Sequence, residues 1–214
     1  MHSKALKLLL PVIGMGLVIL ASNTLVQHPV QFSIWSVDLA GVLTWGAFTY
    51  PVAFLVTDTT NRVLGMGAAR KVVYVGFVLG ITLTLGAALG LAGSIQTEGT
   101  SLLDALFLDD KAFALFRIGL ASGAAFLVAQ MLDIRVFDWL RQADWWKAPV
   151  ASSFTGSLVD TVIFFFLAFA GTGEPWASWA IGDFAAKLLM ITLLLYPFRV
   201  LVRLCSQQSP SGRV

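Results

Sequence analysis

The sequence predicts an all-α integral membrane protein, a bundle of six transmembrane helices with both termini in the cytoplasm. Composition indicates the class, because 57% of the residues are hydrophobic and only 12% are charged, whereas a soluble domain has about 25% charged residues. The mean hydropathy of +0.83 agrees with this class. The apolar runs are long and do not alternate with polar residues, which predicts spanning helices and not the strands of a closed barrel.

Six apolar runs separated by polar segments each have the length of a helix that crosses the hydrocarbon core. They cover residues 5–27, 41–64, 72–93, 111–132, 150–170 and 176–201. Residues 1–205 are therefore expected to form a single transmembrane domain, and residues 206–214 a short cytoplasmic tail. Between the third and fourth runs, residues 102–108 are expected to form a short surface helix.

The basic residues indicate the orientation of these helices. Apart from Lys111, those at the ends of the apolar runs and between them fall on one side of the predicted membrane. They are Lys4, Lys7, Arg62, Arg70, Lys71, Arg135, Arg141, Lys147, Arg199, Arg203 and Arg213. Because lysine and arginine are enriched in cytoplasmic loops, both termini are expected to be cytoplasmic.

The second apolar run combines a helix-breaking proline with two charged residues. Pro51 lacks a backbone N–H and should kink the helix about two turns before Asp58. Asp58 and Arg62 are four residues apart, so on a helix their side chains share a face and can pair. Two interpretations remain open: the pair forms the wall of a polar cavity, or it caps the cytoplasmic end of the helix.

More charged residues fall inside the later spans. Asp160 lies about 15 Å from the start of its span, which is close to the midplane of the bilayer. Arg117 and Asp183 lie roughly 10 Å from the outer surface, where they can meet across neighbouring helices, and Lys187 is one turn deeper. Charges at several depths fit a translocation route, whereas pairs that only fix helix packing are the alternative.

Side chains that serve catalysis or metal binding are sparse. Cys205 is the only cysteine, which excludes a disulfide within the chain and a multi-cysteine metal site. His2 and His28 have no evident partner for a metal or a catalytic triad, and there is no glycine-rich phosphate loop. Asp133 and Asp138 are interpreted as a solvated extension of the fourth helix. The chain is therefore expected not to be an enzyme and to bind no cofactor, metal or nucleic acid.

Two patterns bear on symmetry and assembly. The second and fifth spans each contain an Asp-Thr pair, Asp58-Thr59 and Asp160-Thr161, which is a weak echo of a 3+3 inverted repeat. In the third span, glycines at 76, 80, 86 and 90 form two Gly-xxx-Gly spacings. This spacing favours close helix packing within the chain or between copies, which leaves a homo-oligomer open.

Short motifs follow one another in order over residues 22–194. In the first half they are Ser22-Asn23, Thr44-Trp45-Gly46-Ala47-Phe48, Thr57-Asp58 with Arg62 and Gly65, and Ala69-Arg70. In the second half they are Gln130-Met131-Leu132-Asp133, Leu140-Arg141-Gln142, Trp145-Trp146 with Ala148-Pro149, Asp160-Thr161 before Phe164-Phe165-Phe166, and Asp183-Phe184 with Lys187. Together they resemble the bacterial queuosine precursor transporter family, a group related to vitamin uptake transporters.

The resemblance implies import of 7-cyano-7-deazaguanine, or of its aminomethyl counterpart, across the bacterial inner membrane for tRNA modification. The partners of such a chain are a small planar heterocycle and the lipid bilayer. Two alternatives remain open. One is a substrate-binding membrane subunit of an ATP-driven uptake complex, and the other is a membrane sensor that does not transport.

The chemistry of a planar deazaguanine indicates which side chains can bind it. One carboxylate can accept hydrogen bonds from the ring N–H and the exocyclic amine, while donors reach the carbonyl and aromatic rings stack on the plane. Asp160 is the first candidate for the carboxylate, and Asp183 and Asp58 are the alternatives. The other candidates are Lys187, Arg117, Asn23 and Gln130 as donors, Trp45, Phe48 and Tyr50 as flat surfaces, and Arg62 beside Asp58.

Overall fold

The computed structural model describes residues 2–25, 28–34, 37–41, 43–95 and 101–207 of the chain. The first half contains helix α1 (His2–Leu25), strands β1 (Ser33–Ile34) and β2 (Val37–Asp38), a 3-10 turn (Leu39–Gly41), and helices α2 (Gly46–Thr49), α3 (Val52–Leu64) and α4 (Met66–Ile95). The second half contains α5 (Leu102–Leu108), α6 (Asp110–Trp139), α7 (Lys147–Phe169) and α8 (Trp176–Gln207). The two strands pair antiparallel over two residues each, and the other regular elements in the described residues are helices.

Four of these helices are long and apolar enough to cross a membrane. Helices α4, α6, α7 and α8 have stretches with mean hydropathy from 1.7 to 2.2. Their large apolar side chains face outward to an extent that suits lipid and not water, as with Val78 of α4 at 59% and Ile181 of α8 at 72% exposure. The all-α membrane class is thus confirmed, with at least four spans. The apolar part of α1 over Leu8–Ser22 is shorter, and the second predicted span is divided between α2 and α3.

Pro51 divides the second span, as the sequence predicts. Helix α2 ends at Thr49 and α3 begins at Val52. Since proline has no N–H, it cannot donate to the carbonyl of Ala47 four residues back. The chain resumes hydrogen bonding when Ala53 N–H donates to the Tyr50 carbonyl at 2.9 Å. The break therefore separates the short helix α2 from the longer helix α3.

Gly65 makes the turn that reverses the chain between α3 and α4. Its φ of 87° lies in the left-handed region, which favours glycine over residues with a Cβ. Its N–H donates to the Asn61 carbonyl at 3.0 Å and closes the end of α3. Helix α4 begins at the next residue and folds back against α3. The turn thus lies between the second and third apolar runs of the sequence.

The surface helix predicted at residues 102–108 is confirmed as α5, with a capping box at its start. The Ser101 hydroxyl accepts from the Asp104 N–H at 3.1 Å and donates to the Asp104 carboxylate at 2.6 Å. These contacts with Ser101 hold the pKa of Asp104 below its usual value. At the other end of the chain α8 extends to Gln207, and the predicted tail beyond it lies outside the described residues.

Glycines on α4 let α1 approach closely at one end and leave open space at the other. A Cβ placed on Gly76 would lie 2.6 Å from Cγ of Met15, and one on Gly80 would lie 3.5 Å from Ile19. No atom lies within 4 Å of a Cβ placed on Gly86 or Gly90. Met15 and Ile19 belong to the buried core that α1 shares with α3, α4 and α6. Only the first Gly-xxx-Gly spacing therefore serves packing within the chain.

We predict that Gly76→Leu destabilises the protein and that Gly86→Leu does not. The new side chain at Gly76 would overlap Met15, and overpacking of this kind costs about 1 to 3 kcal/mol. Gly86 is the matched control, because the same substitution on the same helix meets open space. Thermal unfolding of both variants in detergent measures the difference. Equal Tm values would contradict the close approach of α1 to α4.

Candidate functional site

The first polar cluster lies where α7 and α8 face the break between α2 and α3. The ammonium of Lys187 lies 2.8 Å from the carboxylate of Asp160 and 2.5 Å from that of Asp183. It also donates to the Thr161 hydroxyl at 3.0 Å, which in turn donates to Asp183 at 2.9 Å. Tyr50 donates to Asp160 at 3.4 Å, and its ring centroid lies 5.7 Å from the ammonium. We call these five residues the outer cluster.

The outer cluster carries one positive and two negative formal charges in a nearly dry environment. The side chains of Lys187 and Asp160 are 4% and 6% exposed, whereas that of Asp183 is 16% exposed. Burial of such groups in hydrocarbon is tolerated when each charge has a partner. With the ammonium shared by both carboxylates, the cluster retains one net negative charge. It can therefore accept hydrogen bonds from a neutral or cationic ligand.

The second polar cluster lies about two turns of α7 nearer the N-terminus of that helix. Asp58 on α3 accepts hydrogen bonds from the hydroxyls of Ser152 at 3.1 Å and Ser153 at 3.2 Å, both on α7. Asp133 lies where α6 contacts α3, next to Ile134, whose carbonyl accepts from the Asn61 amide of α3 at 3.1 Å. Asp58 is 2% exposed and Asp133 is fully buried. We call Asp58, Ser152, Ser153 and Asp133 the inner cluster.

A buried polar seam between α3 and α6 flanks the inner cluster. Thr57 donates to the side-chain oxygen of Gln130 at 2.7 Å, and the Asn61 amide donates to the Ile134 carbonyl at 3.1 Å. Each of these three polar side chains is almost or fully buried. Nε2 of Gln130 and Oδ1 of Asn61 have no partner within the described part of the chain. The seam therefore contains one donor and one acceptor that are free to bond to a further group inside the bundle.

A narrow cavity with a volume of about 20 Å³ lies between α3, α7 and α8 beside the inner cluster. Asp58 and Ser153 form its polar wall, and Phe54, Ile191 and Leu194 are among the apolar residues that line it. Phe54 reaches this position because Gly156 on α7 has no side chain, since a Cβ there would lie 2.7 Å from the ring. Of the two interpretations of Asp58, the structure supports the cavity wall.

Comparison with known proteins shows the family to which the chain belongs. Residues 44–202 match a family model described as "Putative vitamin uptake transporter". The chain is 36% identical to the queuosine precursor transporter of Escherichia coli (strain K12) over 188 residues, which cover 85% of this chain and 79% of that relative. It is 34% identical to the "Probable queuosine precursor transporter" of Haemophilus influenzae over 192 residues, which cover 84% of this chain and 79% of the relative. No solved structure gives a significant match.

The chain belongs to this family of transporters. Its family membership and its long apolar helices together make it a multi-pass protein of the bacterial inner membrane. The resemblance seen in the sequence is thus confirmed. Both the outer and the inner cluster lie within the residues that match the family model.

The expected pair between Asp58 and Arg62 does not form. Asp58 is turned toward the serines of α7, whereas Arg62 donates to the carbonyl of Arg141 at 2.5 Å. Arg141 in turn donates to the carbonyls of Asn61 and Arg62 and lies 3.2 Å from Asp138. Arg62 therefore helps to hold the C-terminal ends of α3 and α6 together. The four-residue spacing placed both charges on α3 correctly but did not determine their partners.

The expected meeting of Arg117 and Asp183 is also corrected. Arg117 on α6 donates to the carbonyls of Leu167 at 2.8 Å and Ala170 at 2.7 Å, which are at the end of α7. The last carbonyls of a helix have no partner within the helix and carry partial negative charge. The guanidinium satisfies two of them, and Lys187 takes the place beside Asp183.

The interpretation of Asp133 as a solvated residue was wrong. Its side chain is fully buried and faces Asp58, whereas Asp138 five residues later is at the surface with its side chain 37% exposed. A signal was present in the sequence, since Gln130 and Asp133 are three residues apart and share a helix face. Because Gln130 was already assigned to the membrane span, Asp133 on the same face could have been expected to be buried in the bundle.

The remaining candidates lie away from both clusters or outside the described side chains. Trp45 is 49% exposed, and its ring centroid lies 5.9 Å from that of Phe48 near the start of α2. The side chain of Asn23 is not among those described, although its neighbour Ser22 donates to Thr49 of α2 at 3.2 Å. The two aromatic rings thus form a small surface at the outer end of the kinked span.

We predict that Arg117→Met and Asp183→Asn affect stability independently. The two side chains bond to different partners in the structure, and distant, unconnected sites are additive to within about 0.5 kcal/mol. Asp160→Asn and Lys187→Met share an ion pair and should be non-additive. Unfolding of single and double variants in detergent gives both coupling energies. A large coupling between Arg117 and Asp183 would restore the pairing expected from the sequence.

Proposed function

We propose that the chain imports queuosine precursors, 7-cyano-7-deazaguanine and its 7-aminomethyl counterpart, across the inner membrane for tRNA modification. The observation that carries this proposal is the buried outer cluster in a chain whose relatives are named queuosine precursor transporters. Ionisable residues inside a membrane-spanning bundle are typical of substrate and ion pathways. The proposal requires no enzymatic activity, cofactor, metal, nucleic acid or homo-oligomer.

The architecture that fits this function has six spans in a single domain over residues 1–205. Helix α1 would be the first span, and α2 with α3 would form a second one that is broken at Pro51. Both termini would be cytoplasmic, as the basic residues indicate. A 3+3 inverted repeat would relate α1–α4 to α6–α8, with Asp58 and Asp160 contributed by corresponding spans. Superposition of the two halves tests the repeat directly.

In the proposed site Asp160 reads the guanine-like edge of the ligand. One of its oxygens is held by Lys187 at 2.8 Å, but the other receives only a longer bond of 3.4 Å from Tyr50. A ligand with two adjacent N–H groups can replace this weak contact and gain charge-assisted hydrogen bonds. Asp183 keeps Lys187 neutralised during the exchange. The net negative charge of the cluster also suits an aminomethyl group.

The other candidates divide into two groups by their contacts. Trp45 and Phe48, with Asn23 on the neighbouring helix, are proposed to form the entrance at the outer end of the path. The contacts of Arg62, Arg117 and Gln130 support a role in helix packing or beside the inner cluster, and not in direct binding of the ligand. Arg62 and Arg117 bond to backbone carbonyls, and Gln130 is fully buried in the seam between α3 and α6.

Expression of this chain alone should restore queuosine in tRNA when precursor is supplied in the medium. The host would lack its own importer and its own precursor synthesis, and no ATPase subunit would be added. Tracking queuosine in tRNA at low external precursor measures uptake directly. A requirement for an added ATP-driven module would indicate a binding subunit, and binding without uptake would indicate a sensor.

We predict that Asp160→Asn lowers precursor uptake by roughly tenfold or more. The amide keeps the shape of the side chain but opposes a ligand N–H with its own N–H, and the lost charge-assisted bond is worth about 1.5 to 3 kcal/mol. Uptake of labelled precursor, divided by the amount of protein in the membrane, measures the effect. Asp144→Asn is the control, because Asp144 forms an exposed ion pair with Lys147. A purely structural role would lower protein abundance and leave uptake per molecule unchanged.

A further inference from the structure

Asp58 and Asp133 form a buried acidic pair without a basic partner. They lie on the facing helices α3 and α6, where Thr57 and Asn61 bond to Gln130 and Ile134, and they are 2% and 0% exposed. The ion pairs found among the described residues involve the other acidic side chains Asp138, Asp144, Asp160 and Asp183. This pair therefore lacks the charge compensation that the outer cluster has.

The charged groups on the surrounding elements are engaged elsewhere. Below the pair, Arg62 of α3 bonds to the Arg141 carbonyl, and Arg141 bonds to carbonyls of α3 and to Asp138. Arg135 of α6 is exposed. On α4, Arg70 donates to the sulfur of Met66 and Lys71 is at the surface. On α7, Lys147 pairs with Asp144, and Asp160 pairs with Lys187 of α8, as does Asp183. On α8, Arg199 lies over the Trp145 ring and Arg203 is at the surface.

Two buried carboxyl groups on facing helices, with no basic partner, hold a proton between them. Two like charges close together at a low dielectric cannot both ionise, so one group stays protonated. Asp58 receives hydrogen bonds from Ser152 and Ser153 of α7. The ion pairs among the described residues supply no cation that would let the second group ionise as well. The pair can therefore take up and release one proton.

A proton has both a route to this pair and room to leave it. Asp58 lines the narrow cavity between α3, α7 and α8, whose volume of about 20 Å³ is enough for a water molecule. Ser157 on α7 is fully buried and its hydroxyl has no partner within the described residues. It lies on α7 between Ser153 of the inner cluster and Asp160 of the outer cluster, which are separated by about 10 Å along the helix axis. Polar side chains of α7 therefore connect the two clusters.

Two chain segments connect the acidic pair to the outer cluster. Helix α3 carries Asp58, and the residue on the far side of its Pro51 break is Tyr50, which donates to Asp160. Helix α7 carries both Ser153 and Asp160. A displacement of α3 away from α6 would thus change the Tyr50 contact at the outer cluster. Protonation of one site is mechanically connected to the geometry of the other.

We propose that the Asp58–Asp133 pair binds the proton that drives precursor import. This inference rests on the proposed transport function and names its coupling ion. With a proton shared between the carboxyl groups, α3 stays against α6 and α7. When the proton leaves to water on the cytoplasmic side, both carboxylates are charged, they repel each other, and α3 moves with Tyr50. One proton enters with the precursor from the acidic side and leaves on the other side.

Purified protein in liposomes tests the coupling with labelled 7-cyano-7-deazaguanine, a neutral molecule near pH 7. Exchange of labelled for unlabelled precursor without any gradient reports transport alone. Uptake driven by an imposed pH gradient, acidic outside, reports coupling. Wild-type protein should show both, and a protonophore should abolish only the second. Asp133→Asn should still exchange precursor but lose at least tenfold of the acceleration by the gradient, because its amide cannot release a proton.

Asp138→Asn is the matched control, since Asp138 is on the same helix with its side chain 37% exposed, and it should keep the gradient response. If Asp133→Asn does not fold, Asp133→Glu retains the carboxyl group and should respond to the gradient with a shifted pH midpoint. Wild-type exchange with no response to the pH gradient, or with a response to a sodium gradient instead, would overturn the proton assignment. Absence of wild-type exchange would overturn the transport function itself.

Discussion

Each ionisable group that is buried in this bundle needs a partner from the protein, because hydrocarbon does not solvate charge. In the outer cluster one ammonium meets this need for two carboxylates, at 2.8 Å from Asp160 and 2.5 Å from Asp183. The inner cluster has no comparable cation among the described residues, and Asp58 depends on serine hydroxyls and on Asp133. The contacts among α3, α6, α7 and α8 are therefore constrained by a few polar atoms that must meet. Apolar packing alone, which is tolerant of small shifts, would not fix them as closely.

The broken second span lets one segment of chain serve both clusters. Tyr50 ends the outer piece and contacts Asp160, whereas Asp58 follows in the inner piece and contacts α7. Pro51 between them removes one backbone hydrogen bond and allows the two pieces to differ in direction. Gly156 then brings the ring of Phe54 close to α7 at the same level. Small local departures from regular helix thus place polar groups on facing helices without any change in the overall bundle.

The sequence by itself determined the class of the protein, most helix boundaries and the family. Composition and the length of apolar runs are enough to assign the chain to the integral membrane proteins, since the bilayer requires helices of a set length. Local signals also sufficed for the break at Pro51, the turn at Gly65 and the surface helix that begins after Ser101. They worked because proline, glycine and capping serine act on the backbone within a few residues. Asp160, Asp183 and Lys187 were likewise identified as intramembrane charges from their positions along the spans.

The tertiary structure alone decided which polar groups meet. Asp58 is bound by Ser152, 94 residues away along the chain, and not by Arg62 on its own helix. Arg117 bonds to carbonyls of α7, and Asp133 is inside the bundle beside Asp58. Helical spacing tells which residues share a face, but it does not tell which other helix that face contacts. The partner of a buried charge depends on the packing of helices distant in sequence, so it became visible only once the helices were assembled.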